Sequence, residues 1–303
     1  MLSDEQLNQV LDRVPALLRR TSVEDLAGGL TNRNLKVTTP DGVYVVRMSS
    51  SDASLLGIDR DAEHVNTAAA AVAGVGAEVV DYRPDLGLLV VTFLPGVALS
   101  NESFTDPGVM ARSAHACRLL HAGPAFTGVF DMFTHQAGYL ATVLDNGFAL
   151  PAGYERFTDD FADVRRALAA SPAPLVPCNN DLLAGNYLDN GERVWLIDYE
   201  YSGMNDACFE LGNTATECEF TPEMTEAWTE AYFGGLRRSD LARVRLQSLC
   251  SEYGWALWGF IQAASSPIDY DFHSWGMHRF EKAARTFTGP DFRRLLEEVN
   301  DRG

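Results

Sequence analysis

Residues 174–201 read PLVPCNNDLLAGNYLDNGERVWLIDYEY, and the rest of the chain is organised around this stretch. It predicts two short apolar strands, Leu175-Val176 before Pro177, and residues 194–197 (Val-Trp-Leu-Ile). A polar loop, 179–186, follows the first. Tyr187-Leu188 then leads into Asp189-Asn190-Gly191, whose Asn-Gly pair favours a tight turn. Each strand delivers a carboxylate at or just beyond its tip, Asp181 and Asp198, and Asn186 stands five residues after Asp181. A buried acid at the end of an apolar strand is costly unless a cation sits there. Phosphoryl transfer from a metal-bound nucleotide needs such groups: a carboxylate to orient and deprotonate a hydroxyl, and oxygen ligands for Mg2+. Asp181 is then the base, and Asn186 and Asp198 hold metal. Asp-x4-Asn alone fits a plain hairpin with solvated acids equally well; the ordered series is what points to chemistry.

The segment resembles the catalytic core of the choline and ethanolamine kinases, within the aminoglycoside-phosphotransferase-like, protein-kinase-like superfamily. The resemblance is carried by Asn180-Asp181 with Asn186, by residues 197–201 (Ile-Asp-Tyr-Glu-Tyr) and by residues 209–213 (Phe-Glu-Leu-Gly-Asn). It implies ATP and Mg2+ as cofactors, Asp181 as catalytic base and Asp198 as metal ligand. Asn179 stands where the family usually has histidine, a residue that braces the loop. Asn is shorter and has no ring to pack, so lowered turnover is expected unless another contact compensates; in Asn179→His a large gain supports this brace account and no change removes it. A catalytically weak nucleotide- or amine-binding protein is the reading if the brace fails.

Working outward, Ser3 and Gln6 have capping-box spacing before a helix with Leu7, Val10, Leu11, Val14 and Leu17 on one face. Residues 28–34 (Gly-Gly-Leu-Thr-Asn-Arg-Asn) form a small-residue turn before strands at 35–39 and 43–48. Backbone N–H groups around Gly29, with the Thr31 and Asn32 side chains, suit phosphates there. Arg47 ends its strand where protein kinases place the lysine that grips nucleotide phosphates. Glu63, on a helix running from Asp59 to Ala73, is placed to pair with it. The same family carries G-G-x-T-N-x-N, a strand arginine and I-D-R-x-x-E. Residues 88–94 form another strand, broken by Pro95-Gly96; Thr92, Phe93 and Leu94 are expected at a hinge facing the adenine. His121 is read as a structural helix-end residue.

In the C-terminal part, Glu200 is expected to face the site with Asp198, two residues away on extended chain. Glu217 and Glu219 border the same cleft. Trp255 and Trp258 are neighbours on one helix, and Trp275 adds a third indole. Ring faces near an acid attract an alkylammonium. Choline kinases carry W-G-L-W-x-x-I-Q and an aromatic before x3-R-F; residues 255–262 and 275–280 match. The resemblance implies Trp255, Trp258 and Trp275 as cage walls with Glu200 as counter-charge. Met204 stands where the family often has an aromatic, which widens or retunes the pocket.

Composition bounds the alternatives. The chain has 303 residues, 46% of them hydrophobic, and a formal net charge of −18. That charge argues against nucleic acid, whose binding rests on phosphate neutralisation, and favours a cationic substrate. No apolar run is long enough for a membrane span, the N-terminus is unlike a secretory signal, and five cysteines without a C-x2-C pair suit a reducing cytoplasm. The expectation is a bilobal α+β protein-kinase-like fold, with a β-rich, nucleotide-holding N-lobe over 1–94 and a mainly helical C-lobe over 95–303. The reaction expected is ATP-dependent phosphorylation of a small amino alcohol, choline first and ethanolamine next; an aminoglycoside or other amino-sugar is the alternative acceptor.

Overall fold

The computed structural model describes residues 3–26, 32–49 and 56–301. Gly29 and Thr31 lie outside the described residues. The chain begins with α1 (Asp4–Leu11), entered through a reciprocal capping box: the Gln6 N–H donates to Ser3 Oγ and the Ser3 N–H to Gln6 Oε1. The helix stops at Leu11 instead of running on to residue 17. Pro15 cannot continue it, and a tight 3-10 turn, Pro15–Leu17, takes over. Leu7, Leu11, Val14 and Leu17 are still buried, packed on one face of a sheet through Leu35, Val37, Val46, Leu88 and Val90.

That sheet consists of β1 (Ser22–Leu26), β2 (Asn32–Thr39), β3 (Gly42–Ser49), β4 (Val79–Arg83) and β5 (Leu88–Thr92). The order is β1-β2-β3-β5-β4, antiparallel throughout. Alternation decides the faces. Leu35 opposes Val46 and points to the α1 side, so the next pair, Asn34 and Arg47, points to the other. On that other side lies α2 (Arg60–Val72), capped by the Asp59 carboxylate. β1 is a strand that the sequence pattern does not announce; its residues, Ser-Val-Glu-Asp-Leu, form a polar edge.

The remainder is mainly helical: β6 (Val97–Ala98), α3 (Pro107–His121), α4 (Met132–Asp145), α5 (Thr158–Ala170), β7 (Leu175–Cys178), β8 (Tyr187–Asp189), β9 (Val194–Leu196), β10 (Gly203–Asp206), α6 (Ala207–Glu217), α7 (Pro222–Phe233), α8 (Arg238–Ser265), α9 (Phe272–Thr288) and α10 (Phe292–Glu298). α8 is the central pillar. From Leu249 to Gln262 each of its residues is buried, as expected for a helix that is apolar on every side.

One expectation is corrected here. The two strands of the 174–201 stretch do not share a sheet. β7 pairs antiparallel with β10, whereas β9 pairs with β8, and β8 with β6. The Asn-Gly turn closes only its immediate neighbours, β8 and β9, because short loops are the cheapest to close. β7 finds its partner beyond the Asp198 turn, and Pro177 is tolerated there because the sheet has only two strands, both of them edges. Among the described residues no helix is long and apolar enough to cross a membrane. All five cysteines are free and buried.

Gly212 of α6 meets α8 at backbone distance: an added Cβ would lie 2.6 Å from Ser248 N and 2.7 Å from Val244 O. Neither atom can move without shifting a helix. Gly212→Ala is expected to cost about 2 kcal/mol, read as a lower urea midpoint with an unchanged slope.

Candidate active site

The charged centre lies where the five-stranded sheet meets the helical part. Arg47, on the inner face of β3, is buried and reaches three acids. It pairs with Glu63 of α2 at 2.9 Å, with Glu200 at 3.2 Å and with Asp198. Arg60, one turn before Glu63, contacts Glu63 at 2.7 Å, Glu200 at 3.1 Å and the Asn32 Oδ1 at 3.1 Å. Burial pulls the pKa of Arg47 down, but Asp198, Glu63 and Glu200 outweigh it and the guanidinium stays firmly charged. The Arg47–Glu63 pair is therefore present, and it extends into a five-membered knot of two arginines and three acids that joins the sheet-rich part to the helical part.

Asp198 and Glu200 both reach Arg47, though not by the alternation of an extended strand. Asp198 has φ +67°, in the left-handed region, and it is this turn that brings both carboxylates to one guanidinium. Asn180 has φ +68°. Non-glycine residues are uncommon there and cluster at functional loops. Asn180 is kept in place on every side. Its N–H donates to Glu210 Oε2 at 2.7 Å, and its side-chain amide donates to Cys178 O and Tyr201 O. Glu210 Oε1 accepts the Asn179 N–H at 2.9 Å. Fully buried Glu210 thus holds the backbone of the two residues that precede Asp181. Its motif, residues 209–213, is visible in the sequence, but a carboxylate-to-backbone bond across about 30 residues leaves no signature in composition or spacing.

Asn179 does what the missing histidine was expected to do. Its side-chain amide donates to Ile197 O at 3.0 Å and Asp198 O at 2.9 Å, and its Oδ1 accepts the Asp181 N–H at 3.1 Å. One short side chain therefore ties the Asp181 loop to the Asp198 turn with both donor and acceptor satisfied. The compensating contact that the sequence reading left open is present. Asn186 Nδ2 donates to Asp181 O at 2.8 Å, which leaves its Oδ1 as the acceptor of that amide.

A cavity of about 1010 Å³ runs past these groups, at the top of the range for small-molecule sites. It is lined by Arg47, Thr92, Phe93, Leu94, Asp181, Asn186, Asp198, Glu200, Glu217, Trp255, Trp258 and Trp275. The Thr92 and Phe93 N–H groups are taken by Glu78 O and Val43 O. On the same cavity, Trp258 lies edge-on to Trp275 at 5.3 Å, and Tyr201 edge-on to Trp255 at 4.9 Å. Both buried indoles are anchored, Trp255 Nε1 to Asn213 Oδ1 and Trp258 Nε1 to the Tyr201 hydroxyl. Glu219 does not border the cavity; it faces His278 and Lys282. Glu217 does, bonded to Arg279 at 2.5 Å, with Arg279 stacked over Trp275. Burial, against the pull of Arg279 and Lys282, raises the Glu217 pKa. Burial first, then the charges of Asp198, Glu217 and Glu200, push Asp181 well above the usual carboxylate range.

Two lobes around a carboxylate-lined cleft define a phosphotransferase of kinase-like fold, and the phosphotransferase enzyme family model matches residues 22–246. A choline/ethanolamine kinase family protein of Mesorhizobium loti is 35% identical, with a TM-score of 0.86 over 97% of this chain and 98% of that one. Mouse ethanolamine kinase 1 is 24% identical over 87% of this chain and 83% of its own length. The aminoglycoside phosphotransferase APH(4)-Ia shares the fold at 17% identity, with a TM-score of 0.69 over 95% of this chain and all of that one. The chain belongs to the choline/ethanolamine kinase family of phosphotransferases. It is a small-molecule kinase.

Two predictions come from this geometry. Asn179→Ala removes three hydrogen bonds that hold the two acidic loops and is expected to lower kcat about 10²-fold, whereas Asn179→His, with no unfilled role to take, gives no gain; steady-state kinetics read both. Asp181→Asn is expected to lower turnover at least about 10²-fold and to raise the melting temperature at neutral pH. The sign follows from the raised pKa: the folded state tolerates Asp181 fully below the ordinary carboxylate pKa, and its stability falls as pH climbs through the higher folded value. Asn removes that loss, so the stability gap between variant and parent closes on acidification.

Proposed function

We propose that the chain transfers the γ-phosphoryl group of ATP to the hydroxyl of a small amino alcohol, choline or ethanolamine. The observation that carries the reading is that one cavity is lined both by Asp181, Asn186 and Asp198 and by three indoles, Trp255, Trp258 and Trp275. N-lobe residues up to 94 hold the nucleotide, with Thr92, Phe93 and Leu94 along the adenine and Asn32 and Arg47 toward the phosphates. Residues from 95 supply the catalytic loop and the acceptor pocket. The reaction belongs in the cytoplasm, where ATP is available.

The site suits Mg2+. Asp181, Asn186 and Asp198 line one cavity and bring the carboxylate and amide oxygen donors that Mg2+ prefers. Asp198 and Asn186 would hold the ion, which neutralises charge on the phosphates when bound. Arg47, kept in place by Glu63, moves from Asp198 toward the transferred phosphate. Asp181 orients the acceptor hydroxyl and takes its proton late, as expected of a loose transition state.

Glu200, the counter-charge that the resemblance implies, is already engaged by the chain's own cations. Its Oε2 is shared by Arg47, Arg60 and the Asn32 amide, so it serves the arginines. Trp255, Trp258 and Trp275 supply the ring faces, and the nearby carboxylates, Glu200 and the Arg279-paired Glu217, add negative charge to the cavity wall. A polyol acceptor such as an aminoglycoside needs many hydrogen-bonding groups where this cavity presents indoles.

A coupled ATP-consumption assay over choline, ethanolamine, their methylated relatives and an aminoglycoside tests the reading. The amino alcohols are expected to turn over; turnover of the aminoglycoside alone would refute the acceptor assignment. Trp258→Ala is expected to raise KM for the amine about 10-fold and leave KM for ATP unchanged.

A further inference from the structure

Behind the catalytic loop, on the side away from the cavity, lies a second group of donors. His121 ends α3, Cys178 ends β7 and Glu210 belongs to α6, and all three are buried. His121 Nε2 is 3.6 Å from Cys178 Sγ and 3.5 Å from Glu210 Oε1. The three ligand atoms all lie within 4.8 Å of one another. A tetrahedral zinc ion, with bonds of about 2.0 Å to nitrogen, 2.1 Å to oxygen and 2.3 Å to sulfur, sets the N···S and N···O edges at about 3.5 Å. Two of the three edges already have that length.

The surroundings fit as well. His121 Nδ1 is 2.6 Å from the Tyr232 hydroxyl. With Nδ1 donating to that oxygen, Nε2 turns its lone pair toward the sulfur and the carboxylate, the outer-shell arrangement that metal-bound histidines use. The Asn205 carbonyl oxygen, 3.8 Å from the same sulfur, can supply a fourth donor. A nitrogen–sulfur–oxygen set selects a thiophilic ion over Mg2+, so this group and the Asp198 end of the cavity do not compete for one metal.

We propose that His121 Nε2, Cys178 Sγ and Glu210 Oε1 form a binding site for a divalent ion of the zinc class. Binding replaces the thiol proton of Cys178, which leaves to solvent, by a metal–thiolate bond. Glu210 is the link to function. Its two oxygens hold the Asn179 and Asn180 N–H groups at 2.9 and 2.7 Å, so drawing the carboxylate onto a metal loosens the loop that carries Asp181. Occupancy therefore lowers turnover without competing with ATP or the amine.

Co2+ is the probe, added to folded, chelator-treated, nucleotide-free enzyme. The expected result is one equivalent bound with a near-ultraviolet thiolate-to-cobalt band and tetrahedral visible absorption. The band is lost in Cys178→Ser and kept in Cys117→Ser and in Asp198→Asn, which alters the other metal end. Should Cys178→Ser not fold, Tyr232→Phe carries the test, with Co2+ affinity lowered about 10-fold. No thiolate band in the parent protein, a band that survives Cys178→Ser, or unchanged affinity in Tyr232→Phe would overturn the proposal and leave a buried hydrogen-bond cluster.

Discussion

The structure depends on one buried guanidinium. Arg47 sits between Glu63, Asp198 and Glu200, and no other arrangement of those charges is affordable away from water. Three acids around one arginine would be unstable; Arg60 on two of them restores near-balance. Removing one partner of such a knot strands the others, a penalty of about 3–5 kcal/mol. The knot is also what joins the sheet-rich part to the helical part: Arg47, Arg60, Glu63 and Asn32 come from one side, Asp198 and Glu200 from the other. Assembling the acidic end of the cavity and docking the two lobes are thus the same event.

The knot has a second consequence. Asp198 is ion-paired to Arg47, so under the proposed function Asp198 would have to give up that pair to hold a metal. Arg47 would then be free to meet a phosphate, with Glu63 and Glu200 keeping the guanidinium in place. The rigid frame lies behind the exchange: Asn179 ties the Asp181 loop to the Asp198 turn, and Glu210 fixes the backbone ahead of Asp181. On the same cavity the anchored indoles, each with its N–H engaged, leave their faces as the chemistry on offer.

Much of this was legible in the chain itself. The strands expected at 35–39 and 43–48 are the greater part of β2 and β3, and the Ser3–Gln6 spacing marks the start of α1. Asp181, Asn186 and Asp198 could be picked out because each closes a short apolar or amide-bearing segment. What stayed hidden is non-local. β7 pairs with β10, about 27 residues away, through a turn that requires a left-handed Asp198, and nothing in the spacing announces that conformation. The role of Glu200 depends on Arg47 and Arg60, more than a hundred residues earlier. The strength of Asn179 depends on two carbonyls some 18 residues on. Spacing shows which residues can be neighbours along one element; it does not show which acid meets which arginine across two.

The most direct test of the partner exchange is a crystal structure with Mg2+, a non-hydrolysable ATP analogue and choline bound together. The account predicts a metal ion about 2.1 Å from an Asp198 oxygen, Arg47 moved from that carboxylate to a phosphate while still touching Glu63, and the ammonium against Trp255 and Trp258. An intact Arg47–Asp198 pair, with the metal and phosphates held elsewhere, would contradict it.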